Sequence, residues 1–473
     1  MLKSLCTLFA ATLLAACASS NPKSDPADGD RLATQSGFTN DPYPSTYRAI
    51  ASPPVLISGA TVLTGSGERL DHADILLQDG KIAAVGTGLT APSGAIRVAG
   101  DGKWVTPGLI DVHSHLGVYP SPGVKAHSDG NEATAPVTAE VWAEHSVWPQ
   151  DPGFITALAG GVTALLVLPG SANLVGGRGV TLKNLPNTSY QAMKFPGAPW
   201  AVKMACGENP KRVYGQKGGP ATRMANIAGF RAAFIEAAEY RKKNRAPANA
   251  KKADEDADSK RDLKLETLAG VINGDFLAHI HCYRADEMTT MLDLAKEFGF
   301  KIASFHHGVE AYKLANRLAS ENVCGALWAD WWGFKMESFD GIQENIALVD
   351  RPANSCAIVH SDSSEGIQRL NQEAAKVMAQ ARRIGIEIPP ERAIRWITQH
   401  PARAMGIEHL TGTITPGKMG DVVLWNRDPF SVYAQAEQVY IDGARTYDRN
   451  DPSRQPVSDF MLGQGAASKG GGQ

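Results

Sequence analysis

Between Pro107 and about Met405, short apolar runs alternate with longer segments whose apolar residues recur every three or four positions. The runs read LIDVHSH, VTALLVLPG, GVTLKN, WAVKMACGE, FLAHIHC, KIASFHH, NVCGALWAD and CAIVHSD. Runs this short, rich in β-branched residues and punctuated by Gly, Pro or Asn, predict buried strands, the third being the weakest. FRAAFIEAAEY, EMTTMLDLAKEF, VEAYKLANRLA and the stretch after Asp362 carry helical periodicity instead. Eight strands alternating with helices predict an α/β fold, a (β/α)8 TIM barrel over residues 106–405. The charge-rich RKKNRAPANAKKADEDADSKRD reads as a solvated insertion in the fourth crossover.

The polar residues inside these runs sharpen the picture. His113 and His115 end the first run, Glu208 the fourth, His279 and His281 the fifth, His306 and His307 the sixth, and His360 and Asp362 the eighth. Seven of the twelve histidines therefore sit at four strand ends, where scattered hydrogen-bonding histidines would not gather. In barrels of this kind chemistry lies where the parallel strands end. Residues i and i+2 of a strand face the same way, so His113 and His115 would project together. Neutral imidazoles and carboxylates in such a cluster suit a divalent metal, with zinc the default ion.

Composition narrows the function classes. With 43% hydrophobic and 20% charged residues, the 473-residue chain has room for more than one core. A net charge of −2 gives no basic patch for nucleic acid. MLKSLCTLFAATLLAAC has one Lys, a short apolar stretch and LAAC, which predicts a signal peptide over 1–17. Its end is similar to a bacterial lipobox. That makes Cys17 the expected lipidation site and the lipid anchor the only membrane contact, with export to the periplasmic face and the outer membrane favoured. Cleavage of a plain secretory signal near Ala16 is the alternative. Residues 18–52, polar and Pro-rich, predict a flexible tether, and residues 451–473 a flexible tail. The remaining Cys206, Cys282, Cys324 and Cys356 each lie in an apolar run and are expected as buried thiols, although export permits disulfides.

PGLIDVHSH, HIHCYRADE, SFHHG and IVHSDSS, with QHPARAMGIEHLTGTITPGKMGDVVLWNRDPF beyond the barrel, resemble the amidohydrolase superfamily in its imidazolonepropionase-like and prolidase-like branch. The resemblance covers roughly residues 53–450. It implies a small β-sandwich built from both ends of the chain, over 53–105 and 406–450. ADILLQDGKIAAVG supports this independently, since alternating apolar positions around Asp-Gly are a hairpin signal.

The same resemblance implies roles. His113 and His115 would bind the more buried metal, and Asp362 would touch it and take a proton from the attacking water. The fifth-strand ligand would be His279, with His281 as the other candidate. The sixth would be His307, leaving His306 on the opposite face in a structural role. Glu208 is the favoured bridging ligand, with Lys203, carboxylated, as the alternative; one or two ions fit. Asn209, Arg212, Tyr214, Tyr283 and Arg284, in the loops after strands four and five, are candidate substrate contacts, as is Arg178 in GGRG. Lys211 belongs to the same loop, and Trp328, Trp331 and Trp332 either line a pocket or pack under a helix.

The expected function is metal-dependent hydrolysis of a C–N bond in a small amide, cyclic amide or dipeptide. An Xaa-Pro-type dipeptidase or a deaminase on the same barrel is the alternative, and a non-catalytic metal-binding lipoprotein the reading from another class. The expected partner is a small-molecule substrate, and a homo-oligomer is allowed.

Overall fold

The computed structural model describes residues 41–244, 261–331 and 333–455. The signal segment with Cys17, most of the tether and of the charged insertion, Trp332 and the tail past 455 lie outside the described residues.

Sixteen strands are described, in two eight-stranded sheets. The outer sheet holds β1 (Val55–Leu63), β2 (Arg69–Gln78), β3 (Lys81–Gly86), β4 (Ile96–Ala99) and β5 (Trp104–Pro107). The barrel sheet follows with β6 (Leu109–Ser114), β7 (Val162–Val167), β8 (Val175–Lys183), β9 (Ala201–Ala205), β10 (Leu277–Cys282), β11 (Ile302–His307), β12 (Cys324–Leu327) and β13 (Ala357–Val359). The chain then returns to the outer sheet as β14 (Val422–Trp425), β15 (Ala436–Ile441) and β16 (Ala444–Asp448). All eight apolar runs of the barrel are strands. Those from β6 to β9 are buried along their whole length, the pattern of strands covered on both faces.

The barrel sheet runs in chain order from β6 to β13. One strand departs from the parallel barrel: β8 is antiparallel to both β7 and β9. Only residues 168–174 join β7 to β8, too few for the crossover of a dozen or more residues that a parallel return requires. Consequently β8 starts at the end where the other strands finish and ends at the opposite one. The sheet closes against itself through Asp362, whose N–H donates to the His113 carbonyl at 3.1 Å.

Helices Arg223–Lys243, Ala285–Phe298 and Leu370–Arg383 cover the barrel where the periodicity places them. VEAYKLANRLA makes only a tight turn and the short helix Ala315–Ser320. Its first half is diverted into bonds with neighbouring loops: Glu310 N donates to Tyr283 O and Tyr312 N to Asn345 Oδ1.

In the outer domain β5 pairs with both β1 and β14, so strands from the two ends of the chain join in one eight-stranded sheet over a shared core. Two expectations change here. Residues 41–47 of the tether are tied down: Lys194 Nζ donates to Asp41 Oδ2 at 2.8 Å, Ser45 Oγ to Lys194 O at 2.6 Å and Tyr47 Oη to Asp442 Oδ2 at 2.6 Å. The four cysteines are not thiols but two disulfides, Cys206–Cys282 and Cys324–Cys356, with Cα separations of 5.3 and 4.5 Å. Each apolar run taken singly gives no hint of its partner. It is the order β9–β10 and β12–β13 that sets these pairs side by side.

Candidate metal centre

The cluster forms where the parallel strands finish. Within β6, Asp111 accepts hydrogen bonds from the N–H groups of His113 and Ser361 and from the Ser361 hydroxyl. Burial pushes its carboxyl up to about 7. It ties the turn bearing Asp362 to the strand bearing His113, which no sequence motif had signalled.

His115 Nδ1 lies 2.8 Å from the Leu168 carbonyl. A carbonyl only accepts, so Nδ1 carries the proton and the Nε2 of a neutral ring is left with a lone pair. That Nε2 faces Asp362 Oδ1 at 3.2 Å, and His113 Nε2, buried without a hydrogen-bond partner, faces the same oxygen at 3.5 Å. Two ring nitrogens facing one carboxylate oxygen need a proton or a cation between them. Burial disfavours the proton, holding His113 well below the ordinary imidazole range. The donor set therefore fits a divalent cation. His113 with His115 and Asp362, and His113 with His307 and His360, each bring three ligand atoms within 4.8 Å of one another.

His307 has φ of 71°, which breaks strand alternation and brings its ring to the cluster alongside that of His306. His306, expected on the far face, pairs in register with His281 and faces inward with it, fully buried between His113 and His279. His307 Nδ1 is unpartnered, 3.9 Å from Asp362 Oδ2, and its ring stacks on Trp328 at 4.2 Å. His360, absent from the expected ligand set, has both ring nitrogens buried and unpartnered. Burial pushes it down to about 4.

On β10, His279 is fully buried with Nδ1 2.8 Å from His306 Nε2. His281 reaches the cluster with an unpartnered Nδ1, and its ring centroid lies 4.7 Å from that of His307. On β9, Lys203 is buried opposite His279 in the strand register, and Nζ donates to Pro169 O at 3.0 Å. Burial pushes its ammonium down to about 8, and its charge opposes protonation of His113, His279, His281, His306, His307 and His360. Glu208 stands apart at the rim, 31% exposed, opening a short helix and paired with Lys335 at 3.1 Å.

The candidate substrate contacts divide. Asn209 Nδ2 lies 3.4 Å from His281 Nε2, and Tyr283 meets His281 edge-on with Lys335 Nζ 4.4 Å over its ring. Arg212 is exposed near Tyr283. Tyr214 is buried with its hydroxyl accepting from Asn173, and Arg284 turns outward to Asp286. Arg178 is not brought to the cluster. It is buried among Trp142, Trp200 and Phe276 and donates to Thr267 Oγ1 at 2.8 Å. Trp328 lines the mouth, flanked by the half-exposed Trp331.

The comparisons agree with this geometry. The family described as "Amidohydrolase family" matches residues 360–447. A solved amidohydrolase from Thermotoga maritima MSB8 is 35% identical with a TM-score of 0.75, covering 84% of this chain and 100% of that one. Amidohydrolase tasK of Hapsidospora irregularis is 32% identical over 433 residues, 87% of this chain. The chain spans only 42% of that relative's length. Triazine hydrolase from Arthobacter aurescens shares the fold, with a TM-score of 0.51 at 15% identity over 86% of this chain and 97% of its own.

Proposed function

This chain belongs to the amidohydrolase superfamily, and on that premise we propose that it is a metal-dependent hydrolase of a C–N bond in a small amide, cyclic amide or dipeptide. The observation that carries the reading is the pair of ring nitrogens, His113 Nε2 and His115 Nε2, aimed at one oxygen of Asp362. His113, His115 and Asp362 would hold one ion, and His307 with His281 or His360 a second, zinc being the ion best matched to imidazole and carboxylate donors. A divalent ion there supplies Lewis acidity, lowering the pKa of a water to about 7 and polarising the scissile carbonyl. Lys203 is the bridging candidate we favour, because it is buried among the imidazoles with its ammonium pushed down toward the neutral amine that carboxylation needs, whereas Glu208 is engaged by Lys335.

Asp362 directs one oxygen at His113 and His115 and keeps the other on the His307 side. That second oxygen is placed to take a proton from the attacking water and pass it to the leaving nitrogen as the C–N bond breaks. Trp328 and Tyr283 wall the mouth and exclude water from one side. Metal content per chain, with turnover of a panel of small amides, tests the reading. Asp362→Asn is expected to leave the folding midpoint in place and lower turnover about 10²–10⁴-fold. Full activity in that variant would remove Asp362 as the base.

The chain is also proposed to be exported and anchored through Cys17. The LAAC pattern supports this, as do the two disulfides, which persist in oxidising compartments. Cys17→Ser should move the protein from the membrane fraction to the soluble one; an unchanged distribution would sink the anchor.

A further inference from the structure

Three buried imidazoles are strung in a line through the barrel. His113 Nδ1 meets His306 Nδ1 at 2.8 Å, and His306 Nε2 meets His279 Nδ1 at 2.8 Å. All three rings are fully buried, so each is held neutral with a single proton. A hydrogen bond between two ring nitrogens needs one proton, and a neutral ring donates from one nitrogen and accepts at the other. Only two arrangements satisfy both contacts. In one, His113 donates from Nδ1 to His306, His306 donates from Nε2 to His279, and His279 keeps its proton on Nε2. In the other every proton runs the opposite way, and His113 Nε2 is protonated.

From this geometry we infer that His306 and His279 are positioning residues, a tautomer relay that fixes His113 as a ligand through Nε2, and that His281 rather than His279 is the ligand from β10. This rests on the metal-dependent reading above. His113 can offer a lone pair at Nε2 only in the first arrangement. In that arrangement His279 has none left, since Nδ1 accepts from His306 and Nε2 carries hydrogen. His279 Nε2 and His281 Nδ1 are both unpartnered, but His281 stands outside the chain of imidazoles, free to keep a lone pair, and its ring centroid lies 4.7 Å from that of His307. A metal-binding histidine is ordinarily oriented by a carboxylate, a carbonyl or water on its other nitrogen. Here that partner is a second histidine, itself oriented by a third.

The test is metal affinity of the full chain by chelator competition with zinc, for wild type and four variants. His306→Phe removes the acceptor and should weaken binding roughly 10–100-fold, the usual loss for an outer partner of a ligand. His306→Asn replaces the Nδ1 acceptor with an amide oxygen and should restore binding to within a few-fold. His279→Asn should keep the wild-type number of ions, whereas His281→Ala should lose one ion or bind far more weakly. Nitrogen-15 spectra of labelled histidines in the zinc-loaded wild type read the protons directly and do not depend on any variant folding. His279 protonated on Nε2 and His113 on Nδ1 supports the relay. Wild-type affinity in His306→Phe, or loss of an ion in His279→Asn but not in His281→Ala, overturns it while leaving a metal enzyme. A wild-type chain that takes up no zinc overturns the functional reading itself and the relay with it.

Discussion

The two ends of the barrel each bury charge, and they do so in opposite ways. Where β8 finishes, beside the outer sheet, Lys183 Nζ donates to both oxygens of Asp421 at 2.9 Å and to Asp442 Oδ1 at 3.0 Å. Asp421 also accepts from Thr411 Oγ1 and the Asp442 N–H, and Asp442 accepts from Tyr47 Oη. One ammonium faces two carboxylates there, and each of the three groups finds its hydrogen-bond partners within the protein. At the other end, nitrogens of His113, His281, His307 and His360 are buried with no partner. An unpaired buried polar group costs about 1–3 kcal/mol, so several together are tolerated only where something else completes them. The satisfied network is a bolt between domains. The unsatisfied one is a receptacle.

This contrast can be broken or sharpened by experiment. The largest effect is expected from Lys183→Met, which leaves Asp421 and Asp442 buried together without a counter-charge. Breaking such a group should lower unfolding free energy by about 3–5 kcal/mol in denaturant titration, with zinc binding per folded molecule unchanged. A midpoint equal to wild type would show that the bolt carries no stability.

The disulfides come next, one at each end of the barrel. Replacing either pair by alanines should remove about 2–4 kcal/mol. Only loss of Cys206–Cys282, which joins the segments holding Lys203 and His281, should also weaken zinc binding. Equal effects of both pairs on zinc would erase the distinction between the ends.

Zinc itself should stabilise the wild-type chain, by about 2.7 kcal/mol at a hundredfold excess over its dissociation constant. His115→Ala should abolish most of that increment, whereas Lys183→Met should retain it, as read by thermal unfolding with and without metal. The smallest effect belongs to Tyr47→Phe, which removes one hydrogen bond to Asp442 and should cost about 1 kcal/mol. A larger loss would mean that residues 41–47 are integral to the outer domain.

Much of this was legible without coordinates. Strands and helices are local patterns, so all eight barrel runs and the long helices follow from periodicity. His113, His115, His307 and Asp362 were readable as a group because strand ends collect at one face of a barrel. Other features needed neighbours. The antiparallel course of β8 depends on seven connecting residues, a length visible in the sequence only after the strand ends are known. Cys206 and Cys282 are 76 residues apart in the chain, and only strand order makes them adjacent.

The histidines mark the boundary most clearly. Alternation reckoned from an inward His307 assigns His306 to the outside, but the register with β10 sets His306 beside His281, and it is His307 that the left-handed conformation brings in as well. Of the two bridging candidates near one strand end, residue type and position favoured Glu208 over Lys203. Depth separated them, because the buried lysine is pressed toward neutrality among imidazoles while the exposed glutamate finds its own cation. Sequence by itself determined on which strands the candidate residues lie, since composition and period are properties of the chain. Which nitrogen faces which oxygen was decided only by tertiary structure, since protonation and ligation depend on contacts made across hundreds of residues.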